Sequence, residues 1–461
     1  MKKAGAIIKD FTSGPILGPL ALFSLPFMLS NALQVLYTTV DMIIVGRYIG
    51  PSGISAVTSA SRLVDFFTCV CIGLSMSGQV YISQLIGQKR EKELNATIGT
   101  LVTFLGLVGA AMTVIGLSIA DAAIRMIDVP EGAAADARAY MVVCCAGIVF
   151  SYGYNIVSAI LRGMGDSKRP FLFVAIASIA NLVLDILFIK CFGWGVKGAA
   201  LATVLGQTMS FVFAIVYLYR RRAQFGFDFH PRSFRIDPPI FRSFLKLGIP
   251  FAVRFSAINI SMMFVQRLVN GAGATDAARL AASAVFGAGV KLDDIVTKVT
   301  QGIMQATTAF VGQNYGARRF DRIRRTVYYA WLLSFGFYAL YTAMLLADPE
   351  GMFSLFTDDP EVLALAPLFA FNIFWQFPGL VIMRGTNGFI NGIGNAKLAL
   401  VFGLLDGVIL RIGCSWLLGD VMGLGLRGYI LGYAVACYGM GIPAAIYFFF
   451  CPWERRKAVT A

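Results

Sequence analysis

Long apolar runs separated by short polar segments dominate the pattern of this chain. Each run holds about 20 residues or more, the length that an α-helix needs to cross the hydrocarbon core of a bilayer. The runs are continuous and do not alternate as strands of a membrane barrel do. They predict twelve spanning helices, near residues 16–45, 52–86, 97–120, 140–161, 171–192, 196–219, 245–270, 280–312, 326–347, 362–390, 398–418 and 429–450.

Composition supports this prediction, because 57% of the residues are hydrophobic and only 14% are charged. A soluble domain is about half apolar and about one quarter charged. The sequence therefore indicates an all-α polytopic membrane protein. Its first apolar run is too long for a cleavable signal peptide and lacks a small-residue cleavage pattern.

The chain has a net charge of +14, and its basic residues cluster in the loops between the apolar runs. This distribution does not indicate a surface that binds nucleic acid. Basic clusters such as "GQKREKE", "GDSKRP", "GARRFDRIRR" and the tail "WERRK" all fall on one side if twelve helices alternate. The opposite loops, "IDVPEGAAADAR" and "ADPEGMFSLFTDDPE", are acid-rich. This positive-inside bias places both termini in the cytoplasm. Nucleic acid is not an expected partner.

An internal repeat divides the chain in two. "ILRGMGDSKRPFL" at 160–172 resembles "FINGIGNAKLALV" at 389–401, and "GVKG" at 195–198 resembles "GLRG" at 425–428. "SQLIGQKR" and "LPF" in the first half have similar counterparts, "GQNYGARR" and "IPF", in the second. We therefore expect two homologous six-helix lobes, 1–219 and 245–461, joined by a basic cytoplasmic linker at 220–244. Parallel repeats of this kind are typical of transporters that work by alternating access.

Two aspartates stand inside apolar spans of the first half. Asp41 is in the first span, while Asn181 and Asp185 share one face of the fifth because they are four residues apart. Ala199 and Thr203 share a face of the sixth in the same way. Counting about 1.5 Å per helical residue puts Asp41, Asp185 and Thr203 at one depth, roughly 8–11 Å below the outer surface.

Carboxylate, amide and hydroxyl oxygens at one depth suit a small cation, either Na⁺ or a proton held between carboxylates. The alternative is that the two aspartates join neighbouring helices by hydrogen bonds. That role usually falls to Ser, Thr or Asn, because an ionised carboxylate costs more free energy in a membrane. Cation binding is therefore the favoured hypothesis.

The chain resembles the multidrug and toxic compound extrusion (MATE) transporters over nearly its whole length. The similarity lies in "QVLYTTVDMIIVG", "LRGMGDSKRP", "NLVLDILF" with "GVKGAALATVLGQ", "VGQNYGARRFDR" and "NGIGNAK". The resemblance implies a V-shaped pair of six-helix lobes related by a pseudo-two-fold axis. It also implies antiport of amphipathic, often cationic organic compounds against Na⁺ or H⁺. Its cation site would consist of Asp41, Asn181, Asp185, the backbone carbonyl of Ala199 and Thr203.

The sequence departs from one branch of this family, in which acidic residues of the seventh and tenth spans bind the cation in the second lobe. Here the seventh span offers Arg254, Gln266 and Arg267, and the tenth, "FNIFWQFPGLVIMRGTNG", contains no carboxylate. The departure favours the first-lobe site.

Further polar and aromatic residues are candidates for a substrate cleft between the lobes. Intrahelical pairing or packing is the alternative for each of them. The candidates are Tyr37, Arg62, Asp65, Lys291, Asp294, Lys298, Trp375, Asp406 and Arg411.

Several other functions are disfavoured. No GxxxxGK[ST] motif supports ATP-driven pumping, and the single histidine, His230, lies in a loop, which argues against an intramembrane enzyme. We expect a cation-coupled multidrug antiporter of the bacterial inner membrane, acting as a monomer without a cofactor. A flippase for lipid-linked precursors, from the same superfamily, is the alternative.

Overall fold

The computed structural model of the chain describes residues 8–126, 129, 131–273 and 275–460, and these residues form helices and no β-strand. The predicted all-α class is confirmed. In lipid, an apolar segment must satisfy its backbone hydrogen bonds internally, and a helix does so within one segment. The basic N-terminal stretch and the acidic loop at 127–138 lie partly outside the described residues.

The first half contains the six predicted spans, each a single long helix or nearly so. The fifth ends in a π-helical turn over Ile186–Cys191. The helices are α1 (Leu17–Tyr48), α2 (Pro51–Gly87), α3 (Leu94–Met126), α4 (Glu131–Gly163), α5 (Lys168–Asp185) and α6 (Gly195–Arg220).

The second half follows the same order with more interruptions. The tenth span is divided into two helices that meet at 52°. The eleventh contains π-helical segments at Leu405–Leu410 and Leu417–Val421. The short helix α7 (Arg222–Phe225) lies in the predicted linker. The helices that follow it are α8 (Pro238–Asn270), α9 (Asp276–Gly316), α10 (Phe320–Ala347), α11 (Pro349–Phe353), α12 (Pro360–Ile373), α13 (Gln376–Gly392), α14 (Ala396–Leu404), α15 (Arg411–Trp416), α16 (Gly425–Val435) and α17 (Tyr438–Phe450).

Ten described helical segments are long and apolar enough to cross a membrane, and the bent pair of α12 and α13 makes an eleventh. In this count Ala396–Val421 and Gly425–Phe450 are each one continuous segment. The remaining predicted span is α9. Its 41 residues are more than a crossing requires, but charged residues in its middle make it too polar to qualify by composition. With α9, the chain has the predicted arrangement of twelve membrane helices in two lobes.

The described residues divide into two compact units. The first contains Leu29–Ala252 with the residues up to Asp10, and the second contains Phe11–Met28 and Val253–Val459. The boundaries therefore fall inside α1 and α8, three residues after Pro26 and Pro250. These two prolines occupy matching positions of the repeat, in "LPF" and "IPF", and each removes one backbone hydrogen bond from its helix.

The repeated glycine motif has the same structure in both units. Gly165 and Gly394 take left-handed backbone conformations, with φ of +85° and +73°, which glycine adopts without steric cost. The side chain of the next residue accepts a hydrogen bond from the first turn of the following helix in each case. Asp166 accepts a hydrogen bond from the Lys168 N–H at 3.1 Å, and Asn395 accepts one from the Leu398 N–H at 3.4 Å.

The central basic loop is anchored to α3 in the first unit. The Thr100 hydroxyl donates to the Arg235 carbonyl at 3.2 Å and accepts from the Asp237 N–H at 3.0 Å. Asn95 donates to the carboxylate of Asp228 at 3.2 Å. The backbone N–H of His230 also donates to Asp228, and these bonds lower the pKa of that exposed carboxyl. Helix α8 begins at Pro238, inside the segment expected to be linker.

Candidate functional site

Asp41 lies on α1, in the part of the helix that belongs to the first unit. Its side chain is 9% exposed, and Oδ1 has no hydrogen-bond partner among the described residues. Tyr37 lies one turn before it on the same helix. A buried carboxylate oxygen without a donor is costly in a low-dielectric environment, so this atom is available to a cation.

Asp185 and Asn181 occupy the last two turns of α5, where the spacing of four residues aligns them. Both are buried, with exposed fractions of 0% and 4%. Directly after Asp185 the helix widens into the π-helical turn over Ile186–Cys191. Such turns are rare and frequently occur at functional sites.

Helix α6 supplies the remaining predicted residues. The Thr203 hydroxyl donates to the Ala199 carbonyl at 3.1 Å, so the two oxygens lie side by side. The Asn181 amide connects the helices in the orientation that satisfies both of its ends. It then donates to Asp185 Oδ2 at 3.2 Å and accepts from the Thr203 N–H at 3.2 Å.

The carboxyl groups of Asp41 and Asp185 lie close enough to interact directly. Two ionised carboxylates repel at this distance, so the contact requires a proton or another cation between them. Asp185 Oδ1, like Asp41 Oδ1, has no hydrogen-bond partner in the described part of the chain. The structure thus brings together the carboxylates, the amide and the hydroxyl that the sequence placed at one depth.

A pocket within the first unit adjoins this cluster. Asn181 and Thr203 belong to both, and Tyr37 is the predicted cleft residue that lines the pocket. Its lining is mostly polar or small: Gln34, Tyr37, Thr68, Ile72, Ser151, Tyr154, Asn155, Val174, Ala177, Ser178, Asn181, Thr203, Gly206, Gln207 and Ser210. Gln34, Asn155 and Gln207 were not predicted from the sequence, although each is a polar residue among apolar ones.

The other predicted cleft residues are spread over both units. Arg62 and Asp65 are exposed on α2, in the first unit. In the second unit Lys291 and Lys298 are exposed on α9, Asp294 is half-buried, and Trp375 lies between α12 and α13. A role in substrate binding remains a prediction for each of them.

Asp406 and Arg411 form an ion pair at 3.1 Å in the second unit. They are five residues apart, a spacing that does not align side chains on an ordinary α-helix. The π-helical segment Leu405–Leu410 explains the contact, because its hydrogen bonds join residues five apart. Asp406 is 4% exposed, so the pair is buried.

One buried carboxylate of the second unit was not predicted from the sequence, and Arg254 was noted there without a role. Asp293 is 1% exposed. Its neighbour Asp294 was the predicted residue, because it is spaced to pair with two lysines on the same helix. The burial of Asp293 could have been predicted from helical spacing, because Phe286 and Thr300 lie seven residues before and after it on the same buried face. Arg254 is 2% exposed and donates to Asn387 at 2.9 Å.

Comparisons with known proteins agree on one family. The family model MatE matches residues 26–187 and 250–417. "Probable multidrug resistance protein YpnP" of Bacillus subtilis is 28% identical, over 98% of this chain and 99% of that protein. "Probable multidrug resistance protein NorM" of Thermotoga maritima is 25% identical, over 95% and 93%.

Solved structures show the same fold at low identity. An outward-facing multidrug resistance MATE family transporter of the MOP superfamily has a TM-score of 0.88 and 23% identity, covering 97% of both chains. A MOP superfamily transporter from Pyrococcus furiosus, described as having a binding pocket of reverse polarity, has a TM-score of 0.90 and 23% identity. That match covers 99% of this chain and 100% of the other.

Proposed function

We propose, from the premise that the chain belongs to the MatE family, that it is a cation-coupled antiporter exporting amphipathic, often cationic organic compounds. The names of its relatives support the substrate class. The proximity of Asp41 and Asp185 carries the proposal, since both are buried and each has a carboxylate oxygen without a hydrogen-bond partner among the described residues. Two ionised carboxylates this close repel each other unless a cation lies between them. No catalytic step and no cofactor are part of this function.

The cation's role is to change which conformation is stable. When a proton or Na⁺ binds, the repulsion between Asp41 and Asp185 is removed, and Asn181 and Thr203 supply further oxygen ligands. When the cation leaves, the buried pair must separate or become hydrated. Coupling arises only if the two conformations bind the cation with different affinity.

Antiport is supported by residues that the two sites share. Asn181 and Thr203 line the pocket and also belong to the carboxylate cluster. A substrate in the pocket competes for the same polar groups that stabilise the cation. Binding of one then weakens binding of the other, and this reciprocal coupling is what exchange transport requires.

The test is efflux of a fluorescent cationic dye from vesicles that contain the purified protein. A Na⁺ gradient and a pH gradient are applied separately, with protein-free vesicles as the control. We expect at least one gradient to drive the dye uphill. If neither gradient moves any dye of a broad panel while a lipid-linked sugar is flipped, the protein is a flippase and the proposal fails.

Topology provides a second test of the same proposal, which places the protein in the bacterial inner membrane as a monomer with cytoplasmic termini. In a cysteine-free background, Arg232→Cys is expected to react with an impermeant thiol reagent only from the cytoplasm, and Asp358→Cys only from outside. Both positions are exposed in the structure. External labelling of position 232 would contradict the predicted orientation.

A further inference from the structure

Helices α9, α10, α13 and α16 of the second unit surround a buried carboxylate that the proposed first-unit site does not use. Asp293 on α9 accepts hydrogen bonds from the Tyr433 hydroxyl at 2.8 Å and from Gln376 Nε2 at 3.2 Å. Both bonds go to Oδ2. Oδ1 has no hydrogen-bond partner in the described part of the protein.

The carboxyl of Asp293 lines a small cavity. A second oxygen without a partner among the described residues, the hydroxyl of Tyr341, lines the same cavity. The remaining lining residues are Tyr338, Thr342, Leu345, Ile373, Gln376, Phe377 and Leu380. Two unsatisfied buried oxygens beside one cavity indicate a place that a proton or a water-borne cation enters.

The cationic side chains nearby are engaged elsewhere. Arg384 donates to the Tyr338 hydroxyl at 3.1 Å and to the Thr297 carbonyl at 2.8 Å. Arg411 pairs with Asp406 and stacks on the ring of Tyr433. No ion pair to Asp293 is formed within the described residues. An ionised carboxylate without a counter-charge is expensive at membrane depth, and a proton removes that charge.

The charged and titratable groups around the site come from several elements. Asp294 is its neighbour on α9, and α12 contributes only Ile373 to the cavity. The others are Arg384 on α13, Tyr338 and Tyr341 on α10, and Tyr433 on α16, with Arg411 of α15 over the Tyr433 ring.

The repeat shows that the site around Asp293 is not simply the second-half copy of the first-unit site. Gly198 matches Gly428, a spacing of 230 residues. With the same spacing, Tyr433 is the repeat equivalent of Thr203 in the first site. Tyr433 bonds to Asp293, which is contributed by the eighth span and has no counterpart among Asp41, Asn181 and Asp185. The second unit therefore has its own polar cluster around a single carboxylate.

We infer that Asp293 is a second proton-binding carboxylate, located in the second unit. Oδ1, the oxygen without a partner, takes the proton from water in the cavity. Oδ2 remains the carbonyl oxygen and keeps its bonds from Tyr433 and Gln376. The same two donors stabilise the carboxylate after the proton leaves, so both forms are accessible. A single carboxylate favours a proton over a metal cation, which needs several oxygen ligands.

The test is an infrared pH titration of the full-length purified protein carrying Asp41→Asn and Asp185→Asn. Those changes remove the proposed first site, so the result does not depend on whether that site couples transport. We expect a protonated-carboxyl band that grows on acidification and is lost when Asp293→Asn is added. Asp358→Asn, in an exposed loop, is the matched control and leaves the band unchanged.

Tyr433→Phe leaves the Asp293 carboxyl in place, so it tests the inference even if Asp293→Asn does not fold. We expect the band to move to higher frequency, because a carbonyl that loses a hydrogen-bond donor vibrates faster. A band that persists without Asp293, or one that Tyr433→Phe does not shift, overturns the inference. If Na⁺ shifts the ionised-carboxylate band of Asp293 while acid produces no protonated-carboxyl band, the assignment to a proton is overturned.

Discussion

Asp41→Asn is expected to reduce uphill dye efflux to the passive leak while the protein stays folded. Asparagine keeps the shape and one oxygen ligand but removes the charge and the proton. The contact with Asp185 then forms without a bound cation, so cation binding no longer distinguishes the two conformations. Gradient-driven efflux from vesicles measures the effect, and Asp185→Asn is expected to give the same result.

Asp121→Asn is the matched control, because it makes the same chemical change in the same unit. Asp121 forms an exposed ion pair with Arg138, and such pairs contribute little to stability. Its efflux is expected to equal that of the unmodified protein. If Asp41 only joins helices, Asp41→Asn lowers yield or thermal stability and the surviving protein stays coupled. Folded Asp41→Asn protein with normal uphill efflux would exclude the proposed site.

Gly432→Ala is expected to destabilise the second unit severely. Gly432 on α16 faces α15 so closely that an added Cβ would lie well inside van der Waals distance of the Ser415 backbone nitrogen and Cα. Backbone atoms cannot move aside as a flexible side chain does, so the helices must separate. Overpacking of this kind costs about 1–3 kcal/mol or more. Thermal unfolding of the purified protein and its yield measure the loss.

Gly413→Ala provides the control on the opposing helix. Gly413 lies on α15, and its added Cβ would have no neighbour within 4 Å. Alanine has a higher helix propensity than glycine, so the melting temperature is expected to stay level or to rise. Equal stability of Gly432→Ala and Gly413→Ala would show that α15 and α16 are not in close contact.

The sequence determined the helices because their formation depends on local physical chemistry. A run of about 20 apolar residues has no alternative in lipid to internal backbone hydrogen bonding. All twelve predicted runs are therefore found in helical segments, the tenth in two helices, and the ends differ from the predicted ones by up to nine residues. Gly165 and Gly394, which the repeat aligns, both take left-handed conformations that glycine adopts without steric cost.

Part of the candidate site could also be predicted from the sequence. Asn181 and Asp185 lie on one helical face because four residues make about one turn. The common depth of Asp41, Asp185 and Thr203 followed from helix rise and loop positions. These estimates use only distances along single helices, and the structure brings the residues together as the estimates indicated.

Only the tertiary structure decided which residues of different helices meet. The bonds of Tyr433 and Gln376 to Asp293 join three spans that are far apart in sequence, and no local pattern specifies such contacts. Within one span, the π-helical turn that pairs Asp406 with Arg411 was also seen only in the structure. The unit boundaries inside α1 and α8 likewise depend on which neighbours each half-helix packs against. Sequence periodicity specifies the face of a helix, whereas packing selects the partner of that face.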